Sequence, residues 1–190
     1  MPDIALPIHT DRLILRRFEA SDLDAFHAYH SLAETARFLP REAKTYTQSM
    51  EYVGKYANFT FEKEGDWLAL AVEAQDSPGL LGEVVLKWLE GTGQAEIGWS
   101  LAPAARGNGY AAEAAEALLR LGFDELGFHR IDAKLDALNT ASAALCERLG
   151  MRLESRQVDK WRYKGEWATE LVYALLEDEW RARHRPSTNG

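Results

Sequence analysis

The stretch from residue 94 to residue 137 constrains the fold of this chain more than any other. Gln94 to Leu101 reads as a strand, followed by the loop Pro103-Ala104-Ala105-Arg106-Gly107-Asn108-Gly109. Ala111, Ala114, Ala115, Leu118 and Leu119 then recur at i, i+3, i+4, i+7 and i+8, with Glu113, Glu116, Arg120 and Asp124 on the other side. That pattern predicts a long amphipathic helix, and Arg130 to Ala137 reads as the strand after it. Parallel neighbours need such a helix-length crossover, whereas antiparallel ones need only a turn.

The rest of the chain has an antiparallel texture. Thr10 to Arg17 reads as a first strand, and Ser21-Asp22-Leu23-Asp24 as a capping box opening a helix with Leu23, Phe26 and His30 on one face. A second helix is predicted from Thr47 to about Lys63, with Met50, Val53, Ala57 and Phe61 at helical spacing and Arg37 to Lys44 as loop before it. Trp67 to Val72, Gly82 to Leu89 and Gln94 to Leu101 form a meander with turns at Gln75–Gly79 and Gly91-Thr92-Gly93. Asn139-Thr140 opens a short helix that stops at Leu149-Gly150. Strands at about Arg152 to Tyr163 and Trp167 to Leu176 flank Lys164-Gly165-Glu166, followed by a short helix, Glu177 to His184, and a frayed, disordered tail, 185–190. The six tryptophans read first as core. The expected fold class is α+β: one domain over residues 1–184, with a mixed, mostly antiparallel sheet of about seven strands flanked by helices.

Composition narrows the functional classes. With 190 residues and 46% hydrophobic content, the chain fills one core and not two. A single cysteine, Cys146, excludes a disulfide framework and a thiolate metal cluster, and it predicts a reducing, cytoplasmic setting. No run approaches the ~20 apolar residues of a membrane span. Met1 to Pro7 lacks the basic-then-apolar pattern of a signal peptide. A net charge of −8 argues against direct nucleic-acid binding. The charge is uneven: residues 1–95 carry −6 and residues 96–190 only −2, so a polyanion would sit on the second half. Arg148 to Lys164 holds six basic and two acidic residues, which fit the phosphates of a ligand, an acidic peptide or a solvated face. His27-x-x-His30 has helical spacing but no further ligand nearby, so no metal is expected.

The chemistry points to the loop. A strand-to-helix junction presents unpaired N–H groups and the positive end of a helix dipole, and glycine lets an anion approach the backbone. Phosphate is the natural guest, and Arg106 would add a mobile positive charge. Gly107-x-Gly109-x-x-Ala112 with Asp132 20 positions on also satisfies the dinucleotide fingerprint of an oxidoreductase, although here the loop follows a meander and not the first strand of a βαβ unit.

Arg106-Gly107-Asn108-Gly109-Tyr110-Ala111 resembles the pyrophosphate signature Arg/Gln-x-x-Gly-x-Gly/Ala of the GNAT superfamily of acyl-CoA-dependent N-acyltransferases. Ala95 to Leu101, Tyr110 to Ala114, Asn139 to Ser142 with Glu147 to Met151, Thr10 to Arg16 and Leu171 to Trp180 extend the likeness over about residues 8–180. They resemble the RimJ/RimL-type branch, named for ribosomal-protein alanine and serine N-acetyltransferases. The resemblance implies direct transfer of acetyl from acetyl-CoA to an amine acceptor, without metal or membrane. Homodimers are common among such folds.

Carried over, backbone groups of Ile97, Gly98, Trp99, Ser100 and Leu101 would bond the pantetheine arm and polarise the thioester. Gly107, Asn108, Gly109, Tyr110 and Ala111 would hold the phosphates beside Arg106, and Asn139 and Ser142 would touch the arm. Asn139 also reads as a plain N-cap, and Glu113 as a group serving only the helix dipole. Glu96 is the implied base, acting through water, or a residue paired across the sheet. Cys146 stands where many members place an acidic tyrosine and reads as a small buried residue. Ser142 then becomes the implied acid, with Tyr163 or Tyr173 as substitutes. The acceptor is expected to be a protein or peptide α-amine, or a small amine such as a polyamine, amino acid or antibiotic. A weakly equipped site favours the α-amine, whose pKa is ~7.7–8.0 against ~10.4 for lysine. A non-catalytic acyl-CoA-binding module is the alternative.

Overall fold

The computed structural model describes residues 4–91 and 93–184. Met1 to Asp3, Thr92 of the expected second turn and the expected tail 185–190 lie outside the described residues. Eight strands form one sheet: β1 (Ile8–His9), β2 (Leu13–Arg16), β3 (Trp67–Ala74), β4 (Ser77–Leu89), β5 (Gln94–Leu101), β6 (Arg130–Asp136), β7 (Arg152–Tyr163) and β8 (Glu166–Leu176). Six α-helices flank it: α1 (Leu23–His30), α2 (Ala33–Ala36), α3 (Tyr46–Ala57), α4 (Tyr110–Arg120), α5 (Thr140–Arg148) and α6 (Glu177–Arg183). The strand order is β1-β2-β3-β4-β5-β6-β8-β7. Every neighbouring pair is antiparallel except β5 and β6, which the α4 crossover makes parallel.

Period-2 alternation divides the strands between two cores. Leu68, Leu70, Val72, Val84, Leu86, Ala95 and Ile97 turn to one face and meet Ala114, Ala115, Leu118 and Leu119 of α4. Each large side chain fully buried there contributes about 1.5–3 kcal/mol. Ala71 and Leu80 turn the other way and pack with Phe18, Phe26, Tyr29 and Val53 beneath α1 and α3. Trp180 closes the first core from α6, stacked on Phe123 and donating from Nε1 to Asp124 at 2.9 Å.

Several local expectations change. The sheet gains the two-residue β1, too short for alternation to register. The helix expected from Thr47 to Lys63 runs from Tyr46 to Ala57, capped by Thr45, whose hydroxyl accepts from the Gln48 N–H. Phe61 falls beyond it because it packs on Trp88 and Phe128, with ring centroids 5.8 and 6.4 Å away. Met50 sits on the solvent side of this helix, which buries Ser49 and Val53. The cap before α1 is not Ser21 with Asp24; Asp22 reaches back to the Glu19 N–H at 2.8 Å. Trp67, Trp161 and Trp167 are exposed, because they stand on the open face of the sheet or its terminal hairpin. The single parallel pair excludes the doubly wound dinucleotide fold.

Candidate active site

The parallel pair β5–β6 is short. Gln94, Ala95 and Glu96 pair with Arg130, Ile131 and Asp132, and beyond Glu96 the two strands part. β6 continues along β8 to Asp136, while β5 continues along β4 to Leu101. Ile97 to Leu101 therefore have no strand partner on the β6 side among the described residues. Clefts of about 580 and 470 Å³ open on either side of this fork. Both are lined by Phe38, Leu39, Trp99, Ser100, Asn139 and Ser142, so they meet at the fork.

The smaller cleft ends on the glycine loop. Gly107 and Gly109 have φ of +80° and +81°, values that side chains with a Cβ resist. The N–H groups of Gly107, Asn108, Gly109, Tyr110 and Ala111 donate to no protein acceptor among the described residues. Space above Gly107 is open to 4 Å. Free amides at the start of a helix are where an anion binds most readily, and the approach to Gly107 is open.

The loop is held from behind. Arg12 Nη1 donates to the Asn108 carbonyl at 3.0 Å, and its guanidinium lies 4.9 Å from the centre of the Tyr110 ring. Glu113 accepts from the Thr10 hydroxyl at 2.6 Å, the Arg12 N–H at 2.8 Å and Arg12 Nε at 2.7 Å. Burial works to raise the Glu113 pKa, but these bonds outweigh it and hold the carboxyl below its ordinary value. Glu113 thus ties α4 to the turn between β1 and β2 as well as facing the helix dipole. Arg106 is not the free charge expected of it. Its Nε donates to the Leu101 carbonyl at 3.1 Å, and its other nitrogens reach Glu34 at 3.2 Å and Thr35 at 3.3 Å. It clamps the end of β5 to α2.

At the fork, Asn139 caps α5 by accepting from the Ser142 N–H at 3.2 Å. Trp99 Nε1 donates to Ser142 Oγ at 3.2 Å, leaving the serine proton free to point elsewhere. Glu96 lines the larger cleft and accepts from Lys134 Nζ at 2.6 Å. Burial disfavours the lysine charge, yet the bond and charge of Glu96 prevail and raise the Lys134 pKa. Cys146 is fully buried, and burial pushes its thiol up to about 12. Of the two tyrosines, Tyr163 lines the larger cleft with a buried hydroxyl that has no partner among the described residues. Tyr173 lies in the core and donates to Glu147 at 3.4 Å.

The larger cleft also holds residues absent from the sequence reading: Glu83, Arg41 and Tyr56. Glu83 is buried and bonded to Tyr29 and to His30. A charged residue inside the apolar run Leu80 to Leu86 was the available signal. His27, at the other end of the histidine pair, turns instead to Ser49 Oγ at 3.1 Å.

A sheet that forks beside a helix start with free amides has room for a group carried on a phosphate-bearing arm. Residues 12–152 match the acetyltransferase (GNAT) domain model, and the chain belongs to that family of N-acetyltransferases. It is 35% identical over 174 residues to the uncharacterized N-acetyltransferase YnaD of Bacillus subtilis (strain 168), covering 91% of this chain and 98% of that protein. The crystal structure of a GNAT-family acetyltransferase from Bacillus anthracis superposes with a TM-score of 0.83 at 32% identity, over 92% of this chain and 100% of that one. A spermidine N-acetyltransferase from Vibrio cholerae, solved with CoA and spermine, shares the fold: TM-score 0.76, 21% identity, 90% of this chain and 99% of that one. Members of the family use acetyl-CoA.

Proposed function

We propose that this chain transfers the acetyl group of acetyl-CoA to a primary amine, either the α-amine of a protein or peptide or a small amine. The observation that carries the reading is the parting of β5 from β6 beside the row of free amides at Gly107 to Ala111. Bound acetyl-CoA would supply an activated thioester. The free edge of Ile97 to Leu101 bonds its pantetheine amides as a missing strand would, and a β5 N–H polarises the carbonyl. The loop amides hold the phosphates, with Asn139 and Ser142 along the arm. Arg106 acts by fixing the end of β5 and not by meeting phosphate directly.

Ser142 hands a proton to the departing sulfur, a role supported by its hydroxyl accepting from Trp99. Glu96, the base that the resemblance implies, stands where the strands part, and its carboxylate is held by Lys134. The larger cleft receives the acceptor from the face opposite the loop. The low-pKa α-amine suits a site whose half-buried carboxylate Glu96 is already paired. The Vibrio cholerae likeness is one of fold, so polyamines enter the acceptor panel without deciding it. We assign the chain to the RimJ/RimL-type branch on its sequence motifs, place it in the cytoplasm on its lone cysteine, and expect a homodimer without direct nucleic-acid contact. No helix among the described residues is long and apolar enough to cross a membrane.

Release of free thiol from acetyl-CoA in the presence of an amine panel tests the reading, together with a rise in melting temperature on adding acetyl-CoA. Absence of both overturns it. The buried, unreactive Cys146 in place of a tyrosine favours one second reading, a non-catalytic acyl-CoA-binding module. Stabilisation by CoA without turnover on any amine would select that module.

A further inference from the structure

The sheet face that carries Glu96 carries a second carboxylate. Glu83, Val85 and Lys87 of β4 pair with Ser100, Gly98 and Glu96 of β5. Directly paired residues share a face, and diagonal neighbours lie about 7–8 Å apart, within reach of long side chains. Glu83 is diagonal to Gly98, and Glu96 is two residues along from it on the same strand. Gly98 has no side chain to fill the floor between them, and a Cβ there would crowd Val85 Cγ2 at 3.1 Å. Two carboxylates thus flank Gly98 on the face that lines the larger cleft.

Their partners separate them. Glu96 is neutralised by Lys134 at 2.6 Å. Glu83 has no lysine or arginine within ion-pair distance among the described residues. Its Oε1 accepts from His30 Nε2 at 2.8 Å, and its Oε2 accepts from the Tyr29 hydroxyl. Arg41 Nη2 lies 2.8 Å from His30 Nδ1. A guanidinium has only donors, so Nδ1 must accept and the ring proton must sit on Nε2. This network assigns His30 as a neutral imidazole donating to Glu83. Burial raises the Tyr29 pKa well above its ordinary value and keeps that hydroxyl a donor. Lys44, its amine 3.1 Å from the centre of the Tyr52 ring, and the cleft-lining Tyr56 complete the titratable surroundings. Two neutral donors therefore hold a buried carboxylate in one orientation and occupy two of its roughly four lone-pair sites. An unpaired buried charge is costly until a cation meets it.

Building on the acetyl-transfer reading above, we propose that Glu83 is the catalytic carboxylate that receives the acceptor's ammonium group and takes its proton, with His30 and Arg41 as positioning residues. One N–H proton passes to a free lone pair of Glu83. The nitrogen lone pair so released forms the bond to the acetyl carbon as the carbon–sulfur bond breaks. A second nitrogen proton reaches the sulfur through Ser142, and the third stays on the amide. The proton on Glu83 leaves to solvent with the product.

The test compares wild type with Glu83→Gln, using glycinamide as the α-amine and n-butylamine as the high-pKa amine. Glu83→Gln is expected to keep CoA binding and to lose about 10²–10⁴-fold in kcat/KM for the amine at pH 7, the share of a positioned base. Its residual rate should rise tenfold per pH unit up to each amine's own pKa, because only pre-neutralised amine reacts. Glu83→Asp keeps the charge, is expected to lose less and to retain the wild-type pH profile, and serves if the glutamine variant fails to fold. Calorimetry of n-butylamine binding to the CoA-loaded protein gives a readout independent of turnover, with weaker binding expected in Glu83→Gln. A wild type that binds the amine but releases no thiol sinks the transfer reading and leaves the ammonium site standing. Glu83→Gln within twofold of wild type in both rate and binding, a loss equal at every pH, or the same pH signature in Glu96→Gln overturns the proposal.

Discussion

Glu113→Ala removes the clasp between the β1–β2 turn and the start of α4. Three donors lose their acceptor: the Thr10 hydroxyl, the Arg12 N–H and Arg12 Nε. A hydrogen bond to a charged group contributes about 1.5–3 kcal/mol, but Arg12 is 51% exposed, so its ion pair counts for about 0–1 kcal/mol. Its N–H also returns to water. The net cost is about 2–3 kcal/mol, which lowers the melting temperature of a chain this size by about 4–12 °C. The folded-state pKa of Glu113 lies below the ordinary 4.5. Its contribution is therefore complete above pH 4.5 and is lost as pH falls through the lower folded value. Urea unfolding of both proteins at pH 7 and through the acid range reads this directly: a gap of about 2–3 kcal/mol at pH 7 that closes below 4.5. Because Arg12 also supports the Asn108 carbonyl, CoA affinity should fall with it. A difference under about 0.5 kcal/mol at pH 7, or one that ignores pH, refutes the clasp.

Gly109→Val places a β-branched residue at φ +81° and costs about 1–3 kcal/mol of strain. The loop relieves that strain by turning its amides away, so calorimetry should show CoA binding abolished while circular dichroism stays native; retained affinity would mean the anion site is elsewhere. Cys146, buried and with its pKa pushed up to about 12, should resist alkylation by iodoacetamide at pH 8 in the folded protein and react once it is unfolded in urea. Rapid native-state labelling would show that this helix opens more readily than its packing implies.

The sequence by itself determined the α+β layout, the central crossover and the glycine loop, because each rests on local chemistry. Period-2 alternation, the 3.6-residue apolar stripe of α4 and the glycine pair at 107 and 109 are short-range signals that tertiary context did not override. The family was legible for the same reason, since its signature is a loop of six consecutive residues. Helix ends were less legible: Phe61 continues the periodicity of α3, yet its burial on Trp88 and Phe128 takes it out of the helix. Only the tertiary structure decided which charges are free. Arg106 is spent on Leu101, Glu34 and Thr35, and Glu96 on Lys134. Glu83, 53 positions from His30, gains its carboxylate network only when α1 packs over β4. Long-range pairing sets the electrostatics of the cleft, and spacing along the chain carries no record of it.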